Sequence, residues 1–200
     1  MWHLSRPSPE TVATFLAHQR TLPQSYAEVG ASLDGSPAGY DLDHNRVQVG
    51  SGERDFVAAC AAIRAWRMFP APSTAIEPRG VPIEKDQCVA MLAHTFGVWW
   101  LNACRIVYVL DEHEPRDGRQ RRFGFAYGTL PGHVERGEER FSIEWRADDS
   151  VWYDIRAFSR PRYWPVRLGY PIARALQRRF VRDSKAAMQH AVRELGPRRS

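Results

Sequence analysis

The chain has 200 residues, of which 44% are hydrophobic and 12% aromatic, which excludes a disordered or fibrous protein and favours one domain with a substantial core. It has no apolar run of the roughly 18 residues that a membrane helix needs, and its first residues lack the apolar segment of a signal peptide. The formal net charge of +5 comes almost entirely from arginine, since the chain has only two lysines, Lys85 and Lys185.

The three cysteines, Cys60, Cys88 and Cys104, form no CxxC pair, and each stands within an apolar stretch. An odd number of cysteines in such positions is typical of reduced, buried thiols and not of a disulfide framework. Together with the absence of an apolar leader, this pattern predicts a cytoplasmic protein.

The first third of the chain begins with a short predicted helix. Ser8 and Pro9 form its start, with serine as the N-cap and proline in the first turn, and it ends by Pro23. Residues 30–45 are rich in turn-forming residues and are predicted to be a loop, followed by a brief strand over residues 46–50.

A second helix is predicted from Glu53 to about Met68, where two prolines stop it. The GSG run at residues 50–52 precedes this helix, as in phosphate-binding loops. The third glycine of a GxGxxG motif is replaced by Asp55, an acid that would repel phosphate. We therefore predict a backbone turn here, and no cofactor.

From there to residue 160 the apolar residues alternate, which indicates strands. A long amphipathic helix follows over residues 166–195, with Leu176 and Phe180 on its apolar stripe. The strands are predicted near residues 73–77, 87–96, 98–110, 121–129, 138–146 and 150–159.

This order predicts an α+β helix-grip fold, in which a curved antiparallel sheet of about seven strands wraps on the long C-terminal helix, with an extra short N-terminal helix. We expect residues 1–25 to be a helical extension, residues 26–196 to form the single domain, and residues 197–200 to be a tail. Such folds often leave a cavity between helix and sheet.

Alternation also predicts which strand residues point inward. Over residues 133–146 the even positions are mostly charged and are predicted to face water, so the odd positions face the interior. If the strand continues back through Gly137, then His133, Glu135 and Glu139 share the face of Phe141 and form a polar end beside an aromatic wall. If Gly132 or Gly137 instead breaks the alternation, the three residues only decorate a hairpin and this stretch is scaffold. The predicted ligand-contacting residues are Phe123, Phe125, Tyr127, Thr129, Phe141, Ile143, Tyr153 and Ile155.

Several stretches resemble a known family, above all FGFAYGTLPGHVERGEERF at residues 123–141 and GSGERDFVAACAAIRAWRMF at residues 50–69. They are similar to the proteins grouped as domain of unknown function nineteen-ninety, for which no reaction is established. The family's layout resembles the START and birch-pollen-allergen-like (SRPBCC) superfamily, whose members bind lipids, sterols and polyketides in a helix-gripped cavity. The resemblance therefore implies a pocket for a small hydrophobic molecule.

Three functions stay open at this point. The first is binding of a small apolar or amphipathic molecule between the C-terminal helix and the sheet. The second is an enzyme that uses His133, Glu135 or Glu139 for acid/base chemistry, because an apolar pocket raises a carboxyl pKa. The third is a nucleic-acid or membrane-surface protein that uses the arginines of the last helix, although the sequence carries no base-reading motif.

No metal site is predicted. The acidic stretch DLDHN at residues 41–45 lacks the ligand spacing and closing glutamate of a calcium loop, and the seven histidines form no HxH or HxxxH pair. Specific nucleic-acid binding is not expected, peripheral membrane contact stays open, and the sequence does not define an oligomeric state.

Overall fold

The computed structural model of the chain describes residues 1–35, 37–113, 119–162 and 170–196. The predicted tail over residues 197–200 and the predicted start of the last helix at residues 166–169 lie outside these ranges. In chain order the elements are β1 (Trp2–His3), α1 (Pro9–Gln19), β2 (Asp41–Ser51), α2 (Gly52–Arg64), β3 (Thr74–Glu77), β4 (Cys88–Thr95), β5 (Val98–Glu112), β6 (Arg119–Thr129), β7 (Glu135–Arg146), β8 (Ser150–Pro161) and α3 (Tyr170–Leu195).

The strands form one antiparallel sheet in the order β2-β8-β7-β6-β5-β4-β3, with β1 paired to β5. With α2 and the long α3 packed on one face, this is the predicted α+β helix-grip fold. The prediction of about seven strands is confirmed, since seven described strands form the continuous path and the two-residue β1 is an eighth that is too short to show a period in the sequence. In β2, residues 41–45 extend the strand backwards into the predicted loop, since they pair with β8 from Asp41 onward.

The main core lies between the sheet and two helical segments, α2 and the second half of α3. Phe125, Phe141 and Tyr153 on the sheet are fully buried, as are Ile63 of α2 and Met188 of α3. Burying aromatic and branched side chains of this size contributes roughly 1.5–3 kcal/mol each, so this half of the interior is the stable part of the molecule.

Helix α2 ends four residues earlier than predicted. Trp66 takes a left-handed backbone conformation with φ 56°, which stops the helix, and its indole nitrogen donates to the carbonyl of Val81 at 2.9 Å. The chain then turns, so that Phe69 points into the interior and not along a continuing helix.

The opposite face of the sheet is covered as well. Val12 and Leu16 of α1 pack on Leu92, Leu101 and Leu130 in a second apolar cluster. The first helix is therefore packed on the sheet through its apolar stripe, as an amphipathic pattern requires.

Next to that cluster the prediction of a water-facing side of β7 is wrong. Glu138, Arg140, Ser142 and Glu144 are buried, and the segment before β2 folds over the first two of them. Glu138 accepts hydrogen bonds from the Tyr26 hydroxyl at 2.7 Å and from the backbone N–H of Gly30 at 2.8 Å. Alternation identified the two faces of the strand correctly, but it carries no information about what covers them.

Arg140 completes this buried polar layer. Its guanidinium donates to the carbonyl of Leu33 at 2.9 Å and pairs with Asp154 of β8 at 3.0 Å. A charged group leaves water at a cost of several kcal/mol unless it is paired, and here the pairing is supplied by the covering segment and the neighbouring strand.

Candidate ligand-binding site

A cavity of about 580 Å³ lies between the first half of α3 and the sheet. Leu176 and Phe180 of α3 line one side, and Tyr127 and Ile155 of the sheet line the other. A volume of this size falls within the range of small-molecule pockets, which hold drug-sized ligands.

Phe69 lies at the boundary between the cavity and the closed core. Its ring centroid is 5.7 Å from that of Phe141 in the core and 5.5 Å from that of Phe180 on the cavity side. Helix α2 and the turn after it cover the sheet only as far as Phe69. Beyond Phe69 the sheet faces the side chains of α3, which do not fill the space between helix and sheet.

One wall of the cavity carries Glu139 and Tyr127, which are paired across β7 and β6. The tyrosine hydroxyl donates to the carboxylate at 2.9 Å. Burial raises the pKa of Glu139 to about 7, and the hydrogen bond from Tyr127 only partly offsets this effect. The carboxyl group therefore exchanges its proton near neutral pH.

Glu135 lies on the same side of β7, four residues away, because pairing with β8 continues without a shift through Gly137. Gln177 of α3 donates to its carboxylate at 2.7 Å. Burial raises the pKa of Glu135 to about 7, against the opposing effects of that hydrogen bond and of Arg174. Arg174 is itself held by both carboxylate oxygens of Asp43.

His133 precedes β7 and also lines the cavity, with only 8% of its surface exposed. Its Nδ1 accepts the backbone N–H of Glu135 at 2.9 Å, so the neutral ring carries its proton on Nε2. Burial lowers the pKa of His133 to about 4, which keeps it neutral at physiological pH. Within the described parts of the chain, Nε2 has no hydrogen-bond partner.

The structure therefore brings six of the predicted residues to one cavity: Tyr127, Thr129, Ile155, His133, Glu135 and Glu139. It places the other five, Phe123, Phe125, Phe141, Ile143 and Tyr153, in the closed core. They point inward as predicted, but α2 and the second half of α3 pack directly on them. Contact of the six with a ligand stays a prediction.

Sequence reasoning missed several lining residues. Leu176 and Phe180 stood on the apolar stripe of the last helix, so a helix-grip arrangement pointed to them. Nothing in the local sequence marked Gln177 or Asn102, since a single amide on a strand or helix has no pattern. Apolar residues from β4, β5 and the segment after α2 were missed because the loops that orient them have no period. Among them are Phe69, Met91, Ala93 and Trp100.

The family comparison agrees with the resemblance seen in the motifs. The sequence model described as a domain of unknown function, DUF1990, matches residues 25–187. The chain belongs to the DUF1990 family. The matched range contains the second helix, strands β2 to β8 and most of the last helix, and hence every residue of the polar wall just described.

Two relatives of this chain carry the name UPF0548 protein. The one from Deinococcus radiodurans is 39% identical over 195 residues, covering 91% of this chain and 94% of the relative. The one from Dictyostelium discoideum is 38% identical over 167 residues, covering 80% and 76%. Among solved structures, that of Ara h 8.0201 is similar with a TM-score of 0.45 at 11% identity, covering 78% of this chain and 99% of that one.

Two further observations concern metal sites and membrane-spanning helices. Over the described ranges, no three histidine, cysteine or acidic side chains come together as a metal site. No helix in the same ranges is both long and apolar enough to cross a membrane.

Proposed function

We propose that the protein binds a small, mainly apolar molecule that carries a polar group, in the cavity between α3 and the sheet. One observation supports this above all others. The fold closes one half of its interior completely, yet leaves about 580 Å³ open in the other half. Protein interiors are otherwise packed to crystal-like density, and open space costs stability, so a void of this size favours a binding role.

The lining supports an amphipathic ligand. Aromatic and aliphatic side chains make up most of the wall, which favours an apolar body by removing its surface from water. Glu135, Glu139 and His133 lie together at one part of the wall, and a few convergent polar groups in an apolar pocket are what fixes a ligand's orientation.

Binding of a neutral solvatochromic dye such as Nile red tests the proposal. We expect saturable binding with one dye per chain and a blue-shifted emission. The variant Ala157→Phe places a ring in the cavity from its wall on β8 and should abolish binding while the protein stays folded. Ala186→Phe, at an exposed position of α3, is the matched control and should bind as the wild type does.

Dye binding that is unaffected by Ala157→Phe would overturn the proposal, since the dye would then sit elsewhere. Native mass spectrometry of the purified protein complements the titration, because a copurified molecule would be measured directly by the mass difference.

Acid/base catalysis on such a molecule is the second candidate. It is favoured by the Glu139 carboxyl, whose pKa is raised to about 7 and which faces open space beside the Tyr127 hydroxyl. A general acid or base works best with a pKa near the working pH. Turnover of a copurified molecule, lost in Glu139→Gln but not in Glu138→Gln, would favour the enzyme over the binder.

A further inference from the structure

The charges that face the cavity are unequal in sign. Among its described lining residues, the acids other than Glu138 are Asp43, Glu135, Glu139 and Asp183, against a single arginine, Arg179. This excess of acid stands in a chain whose formal net charge is +5. The interior site and the outer surface therefore carry opposite charge.

Two of these four acids are already paired with arginines of the protein. Asp43 is held by Arg174, and Asp183 pairs with Arg179 at 3.5 Å. The carboxylate of Glu138 does not face the cavity, because it accepts hydrogen bonds from Tyr26 and from backbone N–H groups on the outer side of the sheet. These groups need nothing from a ligand.

The remaining two, Glu135 and Glu139, have no ion pair with any residue in the described parts of the chain. Each receives one side-chain hydrogen bond from a neutral group, Gln177 in the first case and Tyr127 in the second. Arg174 attracts Glu135 through its charge but is bound to Asp43, so neither carboxylate has a direct counter-charge. A carboxylate enclosed in this way costs several kcal/mol, which a cation placed between helix and sheet would offset.

The surroundings of these two carboxyls also favour a cation. The ring of Tyr127 lies next to Glu139. The ring of Phe69 is stacked on that of Tyr127, with 6.3 Å between the two ring centroids. Aromatic faces attract ammonium groups, most strongly where water is excluded. An anionic ligand, in contrast, would meet two acids and no unpaired base among the described lining residues.

His133 gives an independent indication that the wall is built for a ligand. Its ring is more than nine-tenths buried and lines the cavity, and its Nε2–H has no partner in the described ranges. Because His133 lines the cavity and no described protein group accepts from this N–H, the N–H is available to an oxygen atom of the bound molecule.

We infer that the natural ligand is an amine: an apolar body with an ammonium group that binds between Glu135 and Glu139. This inference rests on the proposed function, because it names the class of molecule that the same cavity takes. The protein thus discriminates by charge, accepting a cation and rejecting the carboxylate of equal shape.

The inference makes binding depend on pH, since the two carboxyls must be ionised to pair with the amine. Their pKa values of about 7 place this change near neutrality. Other titratable or charged groups face the two carboxyls or share the cavity. They are Asp41, Asp43, His94, Cys104, Tyr127, His133, Tyr153, Arg174, Arg179 and Asp183.

Three probes of matched shape test the inference: 4-phenylbutylamine, 4-phenylbutanol and 4-phenylbutyrate, each titrated against the dye-loaded protein and by calorimetry. We expect the amine to bind at least about tenfold tighter than the alcohol at pH 8, as expected for a partly buried ion pair, and the carboxylate not to displace the dye. The preference for the amine should shrink towards pH 6.

Glu139→Gln and Glu135→Gln keep the shape of the site and remove one charge each. Both should weaken amine binding several-fold and leave alcohol binding unchanged. If dye and alcohol bind but the amine has no advantage, the inference is overturned while the proposed function stands. If neither the dye nor any probe binds, the proposed function itself fails, and the inference with it.

Discussion

Adjacent glutamates on β7 serve opposite purposes at the residue level. Glu138 lies on the outer face of the sheet and accepts hydrogen bonds from Tyr26, Gly30 and Ser32, whereas Glu139 lies on the inner face at the cavity. The same residue type, one position apart, is thus a structural anchor on one side and a candidate binding group on the other.

Glu139→Gln should raise stability above neutral pH. The folded protein keeps the carboxyl proton up to a pKa of about 7, whereas the unfolded chain releases it near 4.5. The unfolded state therefore binds fewer protons in this window, so wild-type stability falls as pH rises through it. Glutamine avoids this loss and still accepts from Tyr127. Thermal melting should show a gain of a few degrees near pH 8 that vanishes below about pH 5.

Glu138→Gln is the matched comparison and should behave in the opposite way. An amide offers one oxygen where the carboxylate uses two, and its NH₂ group faces backbone donors. The loss of charge-assisted hydrogen bonds, each worth roughly 1.5–3 kcal/mol, should lower the melting temperature by about 5–10 °C. Equal melting of the two variants would contradict the assignment of the two faces.

His133 has a structural role, because its Nδ1 accepts the backbone N–H of Glu135. The variants His133→Ala and His133→Asn separate this role from the role of the ring at the cavity. Alanine leaves the N–H of Glu135 without its acceptor and should cost about 1–3 kcal/mol. Asparagine presents an oxygen two residues before that N–H, as in an Asx turn, and should melt close to the wild type at pH 7.

The same variants predict an acid response. The folded ring stays neutral down to a pKa of about 4, while the unfolded ring takes a proton near 6.5, so the unfolded state binds more protons between these values. Wild-type stability therefore falls on acidification in this window because of His133. His133→Asn should gain stability relative to wild type between pH 7 and about pH 5, measured by melting.

At the scale of elements, Gly137 is a position where β8 leaves no room for a side chain on β7. Its φ is +150°, and an added Cβ would lie 1.9 Å from the carbonyl oxygen of Phe158. Gly137→Ala should therefore separate the two strands and lower the melting temperature by many degrees.

Gly80→Ala is the control for backbone strain alone, since Gly80 has a φ of +70° with open space around it. It should cost about 1 kcal/mol. A Gly137 variant no worse than this control would show that the strands tolerate the added carbon.

Local pattern predicted most of these elements. Alternation gave β4 to β8 to within a few residues, and the apolar stripe gave α3, because both depend on short-range periods. The burial of Arg140 and the position of the cavity could not be predicted in this way. Arg140 is buried because the chain before β2, which is distant in sequence, packs on one face of the sheet. The cavity lies where it does because α2 packs on only part of the other face.

At the scale of the whole molecule, the basic charge is partly neutralised by the fold. Arg174 is paired with Asp43, and Arg182 with Asp183 at 2.9 Å, so these arginines of α3 do not form a free basic stripe.

We therefore predict weak, non-specific binding of a short DNA or RNA duplex that disappears near physiological salt. Fluorescence anisotropy across a salt series measures this. Tight, sequence-selective binding at that salt would instead favour a nucleic-acid function.

The open half of the interior has a mechanical consequence. A folded chain that leaves apolar space between its elements unfilled occupies more volume than the same chain unfolded in water, so hydrostatic pressure favours unfolding. A ligand that fills the space removes most of this volume difference. The empty protein should therefore unfold at a lower pressure than Ala157→Phe or the ligand-bound form. We expect this order even if the melting temperatures of the three follow a different order.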